Sequence, residues 1–269
     1  MSLDSQQLLH TAIDAARIAG AYLLEQAGKL DRSKIVEKKA NDFVTEVDRG
    51  AERLVIDRIR REHPEHQFLA EESGRSTATG DIVWIIDPLD GTTNYIQKIP
   101  FYAVSIAAYN GTEILAGVVF NPKLSEFFSA AKGLGAYLND APIRVSTEPD
   151  FSRAFLATGF PHQRKRNLPP FLTATNEIFF GSAGIRRLGS AALDLCYTAC
   201  GRFDGYWELG LNPWDCAAGC LLVSEAGGTV SDFWGDSAYL ENGHVIAANP
   251  AVHKQLQFHL SNHFTERLT

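Results

Sequence analysis

Two carboxylates stand three residues apart in Asp87-Pro-Leu-Asp90-Gly-Thr-Thr93, on a turn stiffened by proline and followed by a glycine and two hydroxyls. Oxygen donors so spaced suit a hard divalent cation. Magnesium takes one or two carboxylates plus phosphate oxygens of a substrate, and two acids on a rigid turn can grip more than one ion. Gly91 lets the main chain approach a ligand, and the amides of Gly91, Thr92 and Thr93 can donate to a phosphate where a helix begins. An Asp-Pro turn followed by a helix N-cap accounts for Asp90 or Thr92 singly but not for the whole string. Other acids have bland readings of their own. Asp48 and Asp215 each open a helical pattern, where a first-turn acid favours the macrodipole or caps the helix. Glu208, between Trp207 and Leu209, could equally pair with an arginine.

The elements that must position these residues can be outlined from periodicity. Apolar residues at three- and four-residue intervals predict a helix over Ser5–Gln26, capped at Gly28, and a second from about Val47 to Glu62, stopped by Pro64. Gln67–Ala70 and Ile82–Ile86 read as short buried strands ending in acids, Glu71-Glu72 after the first and Asp87 after the second. Phe101–Tyr109 and Glu113–Phe120 form a hairpin in which Asn110-Gly111 is expected to make a type I′ turn. Two more strands follow, after Asn121-Pro122 and over Gly133–Asn139. From about Asp150 the pattern alternates: strands at Ala154–Thr158, Ile185, Phe203–Trp207 and Thr229–Asp232 interleave with helices at Phe171–Phe180, Ser190–Cys200 and Trp214–Ala226. The loop Ser73–Gly80 joins two acid-bearing strand ends and is expected to be flexible. Composition shifts near residues 140–150, dividing a helix-pair-plus-antiparallel-sheet half (1–145) from an alternating α/β half (146–269).

Composition narrows the function classes. The chain has 269 residues, 45% hydrophobic and 21% charged, and 25 basic against 32 acidic side chains give a net charge of −7, which argues against a polyanion-binding surface. No basic n-region with an apolar stretch opens it and no run approaches a membrane span, so a cytoplasmic protein without membrane contact is expected. Cys196, Cys200, Cys216 and Cys220 form two C-x₃-C pairs in alanine-rich helical segments, where small thiols fill core space more often than they bind zinc. The histidines avoid the acid motifs, and His253, His259 and His263 are expected to be solvated. Phosphate-loop, H-E-x-x-H, G-x-S-x-G and dinucleotide fingerprints do not occur.

Trp84-Ile-Ile-Asp-Pro-Leu-Asp-Gly-Thr-Thr-Asn94 resembles the first signature of the inositol monophosphatase family, and Trp214-Asp-Cys-Ala-Ala-Gly219 resembles its second. Asp42–Asp48, Leu69–Ser73, Gly133–Asn139 and Gly184–Ala192 also look like family landmarks, so the likeness spans nearly the whole chain, and in detail it is most similar to the bacterial inositol-1-monophosphatases. The resemblance implies an α/β, layered αβαβα sandwich of the sugar-phosphatase type, with the active site between two tightly joined halves, and a homodimer. It implies that Glu71, Asp87 and the Leu89 carbonyl hold one Mg2+, that Asp87, Asp90 and Asp215 hold a second, and that Glu71 also touches a third, weaker ion. It assigns Thr92 and Asp48 to orienting the attacking water, and gives Asp90, Gly91, Thr92, Ala191, Glu208 and Asp215 to substrate contact. The implied activity is hydrolysis of inositol-1-phosphate, a small phosphorylated polyol, with lithium sensitivity. Fructose-1,6-bisphosphatases, histidinol-phosphate phosphatases and nucleotide 3′-phosphatases carry related signatures. Bacterial relatives also join transcription antitermination complexes, which implies RNA polymerase or a Nus factor as a partner. Arg186-Arg187 could clamp a phosphate, pair on the surface or serve a subunit contact, the last being favoured.

Overall fold

A computed structural model describes residues 5–29, 36–39, 42–161 and 165–264. Met1 to Asp4, whose sequence bears on targeting, lie outside the described residues. The chain opens with helix α1 (Ser5–Gln26), a short hairpin of β1 (Val36–Lys39) and β2 (Asp42–Val44), and helix α2 (Glu46–Glu62). Strands β3 (Gln67–Ala70), β4 (Gly74–Arg75) and β5 (Val83–Asp90) lead to the short helix α3 (Thr92–Ile96). Strands β6 (Ala103–Tyr109), β7 (Ile114–Asn121), β8 (Glu126–Ala131), β9 (Gly135–Leu138) and β10 (Ala141–Pro142) follow. These form one eight-stranded sheet in the order β10-β9-β8-β7-β6-β5-β3-β4, antiparallel except for β3 beside β5.

The second half runs β11 (Phe155–Thr158), α4 (Leu168–Gly181), β12 (Gly184–Arg186), α5 (Ala191–Ala199), β13 (Gly205–Leu209), α6 (Pro213–Glu225), β14 (Thr229–Ser231), α7 (Tyr239–Asn242), β15 (His244–Ala248) and α8 (Pro250–His263). Its five strands are ordered β12-β11-β13-β15-β14, with β11 parallel to both neighbours and β15 antiparallel to both of its own. Helices α1 and α2 cover the outer face of the first sheet, α5 and α6 lie between the sheets, and α4 and α8 cover the second sheet from outside. The result is the expected αβαβα sandwich.

Alternation along β5 explains why its run is apolar throughout: Trp84 and Ile86 enter the core beneath α1 and α2, while Val83 and Ile85 enter the core shared with α5 and α6. Helix α6, covered on both sides, is buried without a break from Cys216 to Val223. Small residues make this possible, since a Cβ on Gly219 would come within 2.6 Å of the Leu195 side chain. The cysteines belong to the same packing: Cys196, Cys216 and Cys220 are buried within the central core.

Three local expectations are corrected. Type I′ geometry needs positive φ at both Asn110 and Gly111, but only Gly111 has it, at 89°; Asn110 Oδ1 instead accepts from the amides of Thr112 and Glu113 at 2.9 and 2.8 Å, closing a longer loop. The loop at Ser73–Gly80 contributes β4, which pairs with β3. The three C-terminal histidines are not simply solvated. His253 is buried and shares a 2.9 Å hydrogen bond with Ser231 Oγ, and His259 and His263 flank Glu177 of α4 at 3.1 and 2.9 Å, because α8 packs on that helix.

A buried ring stack gives the fold a pH dependence. His63 and His66 stack at a 4.4 Å centroid separation beside Trp84, whose Nε1–H donates to His66 Nδ1 at 2.9 Å, so this nitrogen must be unprotonated. Burial, then the His63 charge, pushes His66 down to about 4. A group depressed in the fold supports stability above its unfolded value of roughly 6.5 and withdraws that support as pH falls towards 4. Thermal melts between pH 7 and 5 are expected to lose about 2–4 °C in Tm from this group, and His66→Gln, whose neutral amide can accept the same bond, should flatten that slope.

Candidate active site

Pro88 has no N–H to give the ladder, and the register shifts at it: between the pairs Asp87–Ser105 and Asp90–Ala103, β5 spends one residue more than β6. The bulge turns the strand end out of the sheet. Asp87 continues the face of Val83 and Ile85 into the layer between the sheets, is 2% exposed, and accepts the Leu89 amide at 2.9 Å. Gly91, at φ 89°, then makes a left-handed step that an L side chain rarely adopts and starts α3. A Cβ there would also press on Phe101 O at 3.0 Å.

Four helix N-termini deliver the remaining groups. At α2, Thr45 and Asp48 form a capping box: the Thr45 amide and hydroxyl both donate to Asp48 Oδ2, at 2.8 and 2.5 Å. This leaves Asp48 Oδ1 for the Thr92 hydroxyl, 3.0 Å away at the start of α3. Thr92 Oγ1 is also 3.0 Å from Leu89 O, and its single proton serves one acceptor at a time. At α6, Asn212 and Asp215 repeat the box, with the Asn212 amide donating to Asp215 Oδ2 at 2.7 Å. At α5, the N-cap Ser190 donates its hydroxyl to Asp90 Oδ2 at 2.6 Å and the Ala192 amide adds a 2.7 Å bond. The positive ends of these helices favour a concentration of negative charge.

That charge is large. Burial, then the charges of Glu71, Asp90 and Asp215, raises the Asp87 carboxyl well above its ordinary value. Asp215 is raised by burial and by Asp90, with Glu71 and Glu208 adding to it. Burial pushes Asp90 up to about 6 against the opposing pull of Ser190, the Ala192 and Ala191 amides and Arg187. Asp48 is raised by burial alone, its hydrogen bonds acting the other way. Glu208 is pushed by burial up to about 7, while the Tyr206 hydroxyl, donating at 2.5 Å, lowers it. Acids from the end of β3, from β5, α2, α6 and β13 therefore share one region.

Their arrangement departs from a ready-made cage. Among the described residues no three His, Cys, Asp or Glu side chains stand together in metal-ligand geometry, and Asp87, Asp90 and Asp215 accept from the amides of Leu89, Ala192 and Asn212. The donor chemistry nonetheless fits a hard cation. It is all oxygen and anionic, and the charges that act most strongly on Asp87 and Asp215 are those of other acids. The Ala191 amide, expected on substrate, lies where it joins the Ala192 amide in lowering the Asp90 carboxyl.

Several participants were not anticipated. Ser190 is the hydroxyl that holds Asp90; a serine just before a helical pattern is an N-cap signal that could have found it. Asn94, the last residue of the first signature, donates to Phe101 O at 2.7 Å and Leu188 O at 2.9 Å, tying α3 to the segment before α5. Asp194 is 2% exposed, and its carboxyl is raised by burial and then by Glu208 and Asp90. The two members of the arginine pair have different surroundings. Arg186 lies over the Phe155 ring at 4.5 Å, whereas the Arg187 charge acts on Asp90, Asp194 and Glu208.

Comparison with known proteins agrees with this geometry. The chain is 44% identical over 262 residues to Nus factor SuhB of Escherichia coli K12, covering 97% of this chain and 98% of the relative. Nus factor SuhB of Pseudomonas aeruginosa PAO1 is 43% identical over 98% of this chain and 99% of its own. Among solved structures, the extragenic suppressor protein suhB of Bartonella henselae superposes with a TM-score of 0.91 at 38% identity, covering 94% of this chain and 98% of that one. An inositol monophosphatase from Anabaena gives 0.85 at 38% identity over 96% of each chain. The family described as the inositol monophosphatase family matches residues 4–266, and the chain belongs to it.

Proposed function

We propose that the chain is a magnesium-dependent phosphomonoesterase that hydrolyses inositol-1-phosphate to inositol and phosphate. One observation carries this reading: Asp87 is buried at the end of β5 under the charges of Glu71, Asp90 and Asp215, an arrangement that a divalent cation relieves. Glu71, Asp87 and the Leu89 carbonyl would hold one Mg2+, and Asp87, Asp90 and Asp215 a second, with Glu71 touching a third. Ions there would supply Lewis-acid polarisation of the attacking water and of the ester oxygen.

The chain's own groups do the rest. Thr92 donates to Asp48 or Leu89 O, which leaves its oxygen lone pairs to accept from the attacking water. Asp48, whose carboxyl is raised by burial, is suited to take the proton passed along that bond. The amides of Gly91 and Thr92, at the start of α3, would donate to the phosphate, and the capping boxes at Thr45 and Asn212 keep Asp48 and Asp215 from swinging away. Glu208 accepts from hydroxyls of the alcohol.

Phosphate release from inositol-1-phosphate, fructose-1,6-bisphosphate, histidinol phosphate and a nucleotide 3′-phosphate, each with and without Mg2+, tests the reading. The expected ranking by kcat/KM places inositol-1-phosphate first; no metal-dependent release from any of the four refutes the activity. A second role rests on the identity with the proteins named Nus factor SuhB along 97% of the chain. Under this reading the protein is a cytoplasmic homodimer that joins RNA polymerase or a Nus factor. A catalytically dead variant that still co-purifies with RNA polymerase would support it, and the absence of co-purification from wild type would oppose it.

A further inference from the structure

Glu208 is held by residues that no substrate can reach. Tyr206 and Glu208 are two apart on β13 and so face the same side, and the Tyr206 hydroxyl donates to Glu208 Oε2 at 2.5 Å. Tyr206 has no exposed surface, whereas Glu208 is half-buried and lies within reach of the Asp90 and Asp215 charges. On the other side of the carboxylate is Gly159, at the end of β11. A Cβ built there would lie 2.0 Å from Glu208 Oε1 and 2.1 Å from Oε2, an impossible approach. Gly159 is itself buried, and its segment is pinned by the Thr158 hydroxyl, which donates to Trp207 O at 2.7 Å. Asp194 on α5 is also buried, its Oδ1 has no hydrogen-bond partner among the described residues, and the Glu208 charge acts on it.

We propose that Tyr206 is a positioning residue and Gly159 the space it requires: together they fix Glu208 with one oxygen occupied and the other presented to the cleft, selecting phosphomonoesters whose alcohol carries further hydroxyl groups. The proposal rests on the phosphatase reading above. A carboxylate oxygen held in this way accepts from a hydroxyl donor, so it rewards one on the alcohol and gives nothing to an ester whose leaving group has none. Tyr206 acts through Glu208 alone, because its single proton is committed and its ring is wholly enclosed.

The test compares inositol-1-phosphate with p-nitrophenyl phosphate, whose leaving group lacks a further hydroxyl, in wild type, Tyr206→Phe, Gly159→Ala and Glu208→Gln. Loss of one charge-assisted hydrogen bond is worth about tenfold. Tyr206→Phe should therefore lower the ratio of the two kcat/KM values by about tenfold, mostly through KM for the inositol ester. Gly159→Ala, which forces the carboxylate aside, should do at least as much. In the Glu208→Gln background, Tyr206→Phe should add little. Equal losses on both esters, or an unchanged ratio in both single variants, overturn the proposal while leaving the phosphatase reading in place. A wild-type protein that hydrolyses neither ester overturns both.

Discussion

Replacing Asp90 by asparagine is expected to lower phosphate release from inositol-1-phosphate by roughly 10³-fold while leaving the fold intact. The two properties separate because of how Asp90 is held. Ser190 Oγ and the Ala192 amide both donate to the same oxygen, Oδ2. The amide oxygen of Asp90→Asn can occupy that position and keep both bonds, so the link from β5 to α5 survives. What changes is the other edge of the group, where an acceptor and a negative charge become a neutral donor facing Asp87 and Asp215. Without divalent cation, losing one charge from this cluster relieves repulsion, since the charge of Asp90 raises both Asp87 and Asp215. The Tm of chelated Asp90→Asn should therefore equal or exceed that of chelated wild type. A variant that stays active counts against Asp90 as a ligand, and one that loses activity and Tm together counts as a structural failure.

Asp87 and Asp90 were legible because their chemistry is confined to one string. Their supports belong to tertiary structure and are visible only in part. Asp48 and Asp215 looked like ordinary first-turn acids, and in one sense they are: each is the third residue of its helix and closes a capping box, Thr45 with Asp48 and Asn212 with Asp215. The bland reading leaves room for the proposed one, because a box that satisfies the helix end also fixes one carboxylate oxygen and frees the other. In the case of Asp48 the freed oxygen meets Thr92, 44 residues away in sequence, and no local pattern encodes that meeting.

The fold shows the same division. The helices α1 and α2 and the strands of the first sheet follow from periodicity, since one face of each helix is buried and β5 is covered on both sides. The second sheet does not follow. β15 enters between β13 and β14, so the strand nearest the C-terminus is interior and the apparent α/β alternation yields a mixed sheet. Helix α8 was not anticipated because its buried apolar positions are few, Val252, Leu256 and Leu260, and His253 fills a fourth. The placement of Arg187 is likewise invisible to local pattern: the tie from Asn94 to Leu188 and Gly189 brings its segment against α3.

The second large effect concerns stability. Asp90 titrates near about 6 in the fold against roughly 3.9 in an unfolded chain, and Asp87 and Asp215 are raised as well. Groups raised in this way hold protons more tightly folded than unfolded. They support the fold fully below the unfolded value and withdraw that support as pH rises through 6 and beyond. A cation that binds the ionised carboxylates only in the folded state restores what is lost, by about 2.7 kcal/mol at a hundredfold excess over Kd, or roughly 5–10 °C in Tm for a chain of this size. The magnesium-induced rise in Tm should consequently be small near pH 4.5 and reach that size near pH 7.5. His66 imposes a slope of the opposite sign in the same window, but it acts equally with and without cation, so the difference between paired melts isolates the acid cluster. Asp87→Asn should abolish most of the difference, since Asp87 is the carboxylate on which the charges of Glu71, Asp90 and Asp215 all act. A rise independent of pH, or one retained in that variant, would place the bound cation elsewhere on the molecule.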